Sequence, residues 1–250
     1  MSRNLPSASY TGTSTAAFVP GTAETGGSAD SASQRAGIRA WYGDRLAAMS
    51  RGINTQTRTT PRLALRPFRR RDVESLWESV HDSWPELAKW LPWAHAGYGR
   101  LEAIRFIRES GTAWVEGRAF DFGIRDRSDP AGHLGNISVW PTSRRERSGE
   151  IGYWVRSSAT RTGVATEATA RVTRVGFEEL DMHRITLRIA VGNRGSERVA
   201  EKLGYTQEGL LRKEVLVHGE WLDHTLWAML EDEFRQELPR WIEQGWVEEG

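Results

Sequence analysis

The stretch TRTGVATEA, Thr160–Ala168, decides how this chain is read. Ahead of it, SGEIGYWVRSSA alternates Ile151, Tyr153 and Val155 with other residues, which is the period of a strand. Behind it, Val164, Ala168, Val172 and Val175 recur at spacings of four, four and three and so share one face of a helix. Gly163 therefore stands at a strand-to-helix turn, where unpaired backbone N–H groups and the positive end of a helix dipole point outward. A bulky side chain there would block an anion, whereas small residues leave the helix N-terminus open to one. Ordinary turn chemistry accounts for the same residues, so this stretch alone leaves both readings open.

Working outward, the pattern is globular from Thr59. RLALRPF reads as a short strand, and RRRDVESLWESVHDSWPELAKWLPW as two helices, the second starting at Ser83 with Pro85 in its first turn. RLEAIRFIRESGTAWVEG reads as a further helix. Three strands follow, carried by Phe120, Phe122 and Ile124, by Ile137 and Val139, and by Ile151, Tyr153 and Val155. Turn-prone SDPAGH and polar TSRRERSG separate them, as in antiparallel hairpins. After the helix at 163–180 comes HRITLRIAVGN, in which Ile185, Leu187, Ile189 and Val191 alternate strictly. A short helix stops at Gly204, two strands flank His218-Gly219, and a Glu- and Trp-rich helix closes the chain. The expectation is an α/β fold with a mixed, mostly antiparallel sheet and helices around it.

Residues 1 to about 35 are dominated by Ser, Thr, Ala and Gly and cannot bury enough apolar surface to offset their ordering entropy. Residues 1–58 are therefore expected to be a disordered extension, or a mis-assigned one, since Met49 would make a natural start. A short helical turn in RAGIRAWYGDRLAAM stands alone. Residues 59–235 form the expected domain, and 236–250 a helical tail.

Composition narrows the function classes. The 250 residues carry 34 Lys+Arg, 33 Asp+Glu and no cysteine. Disulfides, thiol nucleophiles and Cys-ligated metals are excluded, which suits a cytoplasmic protein. No apolar run approaches the ~20 residues of a membrane span, and no basic-then-apolar leader opens the chain. A net charge of +1 gives no general reason to expect nucleic acid. RRR at 69–71 and RRER at 144–147 read as solvated loops. The six histidines show no metal-ligand spacing, so no metal is expected.

Four segments together carry a resemblance: GEIGYWVRSSATRTGVATEA (149–168), NRGSERVAEKLGYTQEGLLR (193–212), HGEWLDHTLWAML (218–230) and ELAKWLPWA (86–94). In this order and at these separations they resemble the GNAT acetyltransferase superfamily, and within it the RimJ/RimL-type N-acetyltransferases. The resemblance covers about 60–232. It implies a twisted mixed sheet, with acetyl-CoA held in a splay between the fourth and fifth strands. The pyrophosphate loop then falls on Thr160, Arg161, Thr162, Gly163, Val164, Ala165 and Thr166. Gly163 and Ala165 fit the usual pattern, while Thr160 replaces Gln or Arg and Arg161 replaces a common glycine. Backbone N–H groups do most of the holding, and an arginine beside a pyrophosphate is electrostatically favourable.

Acetyl transfer to an amine needs the amine neutral, a donor for the developing oxyanion and a proton for the leaving thiolate. At pH 7 an α-amine of pKa ~8 costs roughly 1.4 kcal/mol to deprotonate, against roughly 4.6 for a lysine side chain at ~10.4. An α-amine therefore needs only a weak base or a water relay. Glu150, next to the turn, is the first candidate base; pairing with a nearby arginine is its structural alternative. The resemblance implies that backbone N–H groups near Trp154 and Val155 polarise the thioester. The tyrosine acid of many GNAT enzymes is Ala200 here, so Ser196 takes that role or caps its helix. Asn193 bonds the pantetheine arm or braces the loop. Trp90 and Trp93 are candidate walls of the acceptor groove. Glu220 and Asp223 either attract a cationic acceptor or form a surface pair.

Two classes of function follow. One is an acetyl-CoA-dependent enzyme acting on an α-amine of a ribosomal or other protein, with a small-molecule variant acting on an amino acid, polyamine, aminoacyl nucleotide or antibiotic. The other is a non-catalytic module that binds acyl-CoA, which Thr160, Arg161 and Ala200 keep open. Glu150, Asn193, Ser196 and Gly163 favour the enzyme, as a monomer or homodimer.

Overall fold

The computed structural model describes residues 53–249. The disorder expected before Ile53, the isolated helical turn and the Met49 start lie outside them. Eight strands form one sheet: β1 (Arg58–Thr59), β2 (Leu63–Pro67), β3 (Phe120–Asp126), β4 (Gly135–Ser143), β5 (Ser148–Val155), β6 (Arg184–Ala190), β7 (Thr206–Val217) and β8 (Glu220–Leu230). Their spatial order is β1-β2-β3-β4-β5-β6-β8-β7. Every pair is antiparallel except β5–β6. Parallel neighbours need a crossover, and the long helix α4 (Val164–Arg174) supplies it.

The alternation read from the sequence becomes two faces. Ile185, Leu187 and Ile189 of β6 are buried in the main core, while Arg184, Thr186 and Arg188 project from the other side. α4, α5 (Arg194–Leu203) and the closing helix α6 (Glu231–Glu243) contribute to this main core. A second cluster unites α1 (Val73–His81), α2 (Trp84–Leu87) and α3 (Arg100–Val115) with Trp154 of β5. Buried Asp72 fastens α1 to the sheet: it accepts from Arg66 at 2.7 and 2.8 Å and from the Arg69 N–H at 2.7 Å, and it pairs with Arg125 at 3.0 Å.

Several boundaries differ from expectation for local reasons. The second helix is a single turn, because Pro92 lacks an N–H and the chain continues as overlapping turns. The helix expected over 163–180 is α-helical to Arg174 and then widens into a π turn at Val175–Glu179. Among the described residues packing reaches back to Ile53, ahead of residue 59: Ile53 is buried, and its carbonyl accepts from Trp114 Nε1 at 3.0 Å. The closing helix is no appendage, since Trp241 and Val247 are buried in the main core.

Candidate active site

The Thr160–Thr166 turn is built to expose backbone. Gly163 takes φ 86°, ψ −3°, a left-handed conformation that suits glycine, and Arg161 also has a positive φ of 62°. Gly163 cannot cap α4, so Val164, Ala165 and Thr166 begin the helix with N–H groups that have no helical acceptor. The Thr160 and Thr162 hydroxyls turn back onto the carbonyls of Ser157 (2.8 Å) and Ala159 (2.7 Å), which shapes the loop.

Two residues that the motif reading passed over hold this turn. Glu167 is 1% exposed and accepts from the Thr60 hydroxyl, the Arg62 N–H (3.1 Å) and Arg62 Nε (2.7 Å). Arg62 Nη1 also donates to the Thr162 carbonyl at 3.1 Å. The first turn of α4 and the loop are thereby tied to the start of β2. The available signal was a carboxylate in a helical first turn, among small buried residues.

Beside the turn, the sheet opens. β5 pairs with β6 only over Ser148–Glu150 and Arg184–Thr186, leaving Ile151–Val155 without a partner on that side. The fourth and fifth strands read from the sequence, those of Ile151–Val155 and Ile185–Val191, are β5 and β6 here, because the two-residue β1 is too short to show a sequence period and adds one to the count. Arg156 N–H bonds the Leu134 carbonyl at 2.7 Å, which sets the alternation. The Trp154 N–H consequently points to β4, while those of Tyr153 and Val155 point into the splay. Of the two residues named for backbone donors, Val155 thus turns its N–H into the splay and Trp154 turns its N–H to β4.

Across the splay, α5 brings Asn193 and Ser196. Asn193 Oδ1 accepts from the Ser196 N–H at 3.3 Å, so this side chain caps α5 and braces the loop. The Ser196 hydroxyl is left for other partners and faces Tyr153 Oη, favouring its ionised form, although no hydrogen bond of standard geometry closes between them. Burial outweighs this and pushes the Tyr153 hydroxyl up to about 12. Ala200 is fully buried in the main core.

The opposite face carries charge. Glu150, 7% exposed, is gripped by Arg188 through Nε (3.0 Å) and Nη2 (2.8 Å). Burial raises the Glu150 carboxyl above its ordinary range, against the pull of Arg188. Arg188 Nη1 also reaches Glu214 Oε1 at 2.8 Å. Asp223 Oδ1 accepts from the Lys213 N–H at 2.7 Å and so pins the irregularity in β7 between Leu211 and Val215. Asp223 is therefore committed to backbone geometry. Glu220, exposed, lines a cleft of about 260 Å³ with Ala88, Lys89, Val217, His218 and Leu222. Trp93 packs against Trp154 (6.0 Å) and Tyr98 (5.9 Å) beside the second core, and Trp90, half-buried, follows α2. A larger hollow of about 530 Å³, lined by Trp77, Gly97 and Arg100, has no strand residue in its wall and stands apart from this chemistry. Among the described residues, no three His, Asp or Glu are grouped to hold a metal ion, and no helix is long and apolar enough to cross a membrane.

Known proteins resemble this chain in sequence and fold. The chain is 36% identical over 118 residues to "Probable N-acetyltransferase YjcK" of Bacillus subtilis (strain 168), an alignment spanning 47% of this chain and 65% of that protein. It is 29% identical over 176 residues to "Putative ribosomal N-acetyltransferase YdaF" of the same organism, covering 70% of this chain and 94% of the relative. The structure of Mycobacterium smegmatis RimJ in complex with CoA-disulfide superposes with a TM-score of 0.69 at 27% identity, covering 76% of this chain and 95% of RimJ. The acetyltransferase (GNAT) domain model matches residues 62–206, which run from the arginine that anchors the turn to the first residue of β7. With its sheet splayed beside a glycine-opened helix N-terminus, the chain belongs to the acetyl-CoA-dependent GNAT acetyltransferases.

Proposed function

We propose that this protein transfers the acetyl group of acetyl-CoA to the N-terminal α-amine of a protein, a ribosomal protein in the first instance, in the cytoplasm. The observation that carries the α-amine assignment is the Glu150–Arg188 pair. Both oxygens of the Glu150 carboxylate, on the strand leading to the turn, are engaged by one guanidinium, so the face offers no strong free base. An acceptor that costs roughly 1.4 kcal/mol to deprotonate at pH 7 suits such a face better than one costing roughly 4.6. The name of YdaF, a relative over most of its length, agrees with a ribosomal acceptor.

The residues present fit the co-substrate. Gly163 leaves room for phosphate oxygens at the N–H groups of Val164, Ala165 and Thr166, with Arg161 beside them. The Tyr153 and Val155 N–H groups offer donors for the pantetheine arm and for the carbonyl oxygen as it gains charge. Acetyl-CoA supplies the activated acetyl group when bound. Ser196, held by its own helix start, donates a proton toward the departing sulfur, with Tyr153 Oη behind it. Glu150 holds Arg188 in place and sets the charge of the acceptor face.

Thiol release from acetyl-CoA, measured against peptides with varied N-termini and against small amines, tests this reading. An α-amine peptide should be consumed and its N-acetylated form should not. Ser196→Ala should lower kcat on the order of 10²-fold at unchanged CoA affinity, and Glu150→Gln should lower it by freeing Arg188. Tight acetyl-CoA binding with no acceptor consumed would instead indicate a non-catalytic module.

A further inference from the structure

Two buried polar atoms on the acceptor face have no hydrogen-bond partner, and they face each other. His224 Nδ1 of β8 and Glu214 Oε2 of β7 are 3.8 Å apart, and each is buried and unbonded. An unpaired buried polar atom costs about 1–3 kcal/mol, so two together mark an arrangement kept for something other than stability. The fold takes trouble to make it. The β7 irregularity between Leu211 and Val215, with Lys213 at φ 50° and pinned by Asp223, turns Glu214 toward His224. Such bulges re-aim side chains beside active sites.

The strand register places this pair one strand beyond the splay. Glu150 lies opposite Thr186 on the parallel strands β5 and β6. Four residues further along both strands, Trp154 and Ala190 stand level across the splay. Ala190 in turn lies opposite His224. Ala190, with its small side chain, is the β6 residue of this row. Leu222, two residues before His224 and on the same face, lines the cleft opposite Ala88 and Lys89.

We propose that His224 is the proton acceptor for the amine, and that Glu214 is the positioning residue that orients its ring. The inference rests on the α-amine acetylation proposed above. In the step, the acceptor ammonium gives one proton to the imidazole, directly or through one water. The amine nitrogen then forms its bond to the acetyl carbon, and the carbon–sulfur bond breaks with its electron pair going to sulfur. The thiolate takes the Ser196 hydroxyl proton, and the second proton of the attacking nitrogen returns to the Ser196 oxygen, directly or through one water, which leaves a neutral amide, a free thiol and a protonated His224. Glu214 accepts from Nδ1–H, which leaves Nε2 as the basic nitrogen; apo geometry at such dyads is commonly loose. The charged groups around the ring are Glu214 on β7, Arg188 on β6 with Glu150 behind it, and Asp223 on its own strand, with Lys89 across the cleft. Burial lowers the affinity of His224 for a proton, against Glu214 and the Leu222 carbonyl, so the ring is neutral and able to accept near pH 7.

The test uses the full chain, acetyl-CoA and an N-terminal alanine peptide, beside an amine of pKa about 5 that is already neutral at pH 7. His224→Gln should lower kcat for the peptide at least about 10²-fold and move the acidic limb of its pH profile up to the pKa of the amine itself, ~8. It should leave the rate with the weakly basic amine within about threefold of wild type, with CoA affinity unchanged by calorimetry. Glu214→Gln, a second variant, should shift the acidic limb to lower pH, because removing the anion lowers the proton affinity of the ring; NMR titration of the His224 ring in that variant reads the same shift without turnover. Equal losses with both amines, or an unchanged peptide profile in His224→Gln, would overturn the proposal alone. Absence of transfer to any amine by the wild type would overturn it together with the acetylation reading.

Discussion

The two sides of the splay are made differently. On the proposed cofactor side the polar groups are backbone: the N–H groups at the start of α4 and along β5, exposed by Gly163 and by a strand that loses its partner after Glu150. On the proposed acceptor side they are side chains from four strands, Glu150, Arg188, Glu214 and His224, joined by ion pairs and one unclosed contact. A backbone site tolerates sequence change as long as geometry survives, as Thr160 and Arg161 illustrate. A side-chain site is set by identity and by register, and it is the side on which protonation matters.

Breaking that contrast most sharply calls for pH. Beneath the acceptor face, His133 is 1% exposed, within 5.8 Å of the Phe68 and Trp154 ring centroids, and bonded through Nε2 to Asn136 at 2.7 Å. Burial depresses its pKa from 6.5 to about 3. A depressed folded-state value means that the neutral ring stabilises the fold fully above pH 6.5, and that this contribution is lost as pH falls toward about 3. At about 1.4 kcal/mol per unit, denaturant unfolding between pH 7 and 4 should show a loss of up to about 3 kcal/mol in excess of that seen in His133→Asn. Equal slopes in the two proteins would mean that the ring can be protonated in place.

The cofactor side should answer to geometry instead. Glu167→Ala removes the acceptor for Thr60 and for both Arg62 donors. Charge-assisted bonds are each worth about 1.5–3 kcal/mol, so thermal unfolding should show at least about 2 kcal/mol of destabilisation, and CoA affinity should fall with it. A variant as stable as wild type would show that the anchor is dispensable. Smaller in free energy but more specific, Gly163→Val forces a β-branched residue to φ 86° and brings a Cβ within 3.1 Å of Arg62 Nη2. Strain of about 1–3 kcal/mol should appear chiefly as a roughly tenfold to hundredfold weaker CoA affinity by calorimetry, with kcat at saturation little changed. Unchanged affinity would remove the glycine from the site.

Much of the cofactor side was legible because it is local. Strand period, turn and helix period occur within Ile151–Val175, and Gly163 stands at their junction, where the structure places the left-handed residue. Glu150, Asn193 and Ser196 could be named for the same reason, but not their partners. Arg188 lies 38 residues beyond Glu150 and meets it only because β6 runs parallel to β5. Tyr153 counted as one more alternating core residue until α5 brought Ser196 to its hydroxyl. Asp223 looked like an acceptor-binding acid, because nothing in HGEWLDH announces a bulge ten residues earlier that needs pinning.

Periodicity and turn chemistry by themselves determined the α/β order of elements, the hairpins and the glycine-opened helix start, since each depends on residues a few positions apart. Only the tertiary structure decided which strands splay, which backbone donors face the gap, that Trp241 belongs to the core, and that His224 meets Glu214. Those outcomes depend on strand register, and a shift of one residue in register exchanges the two faces of a sheet while leaving the local pattern intact.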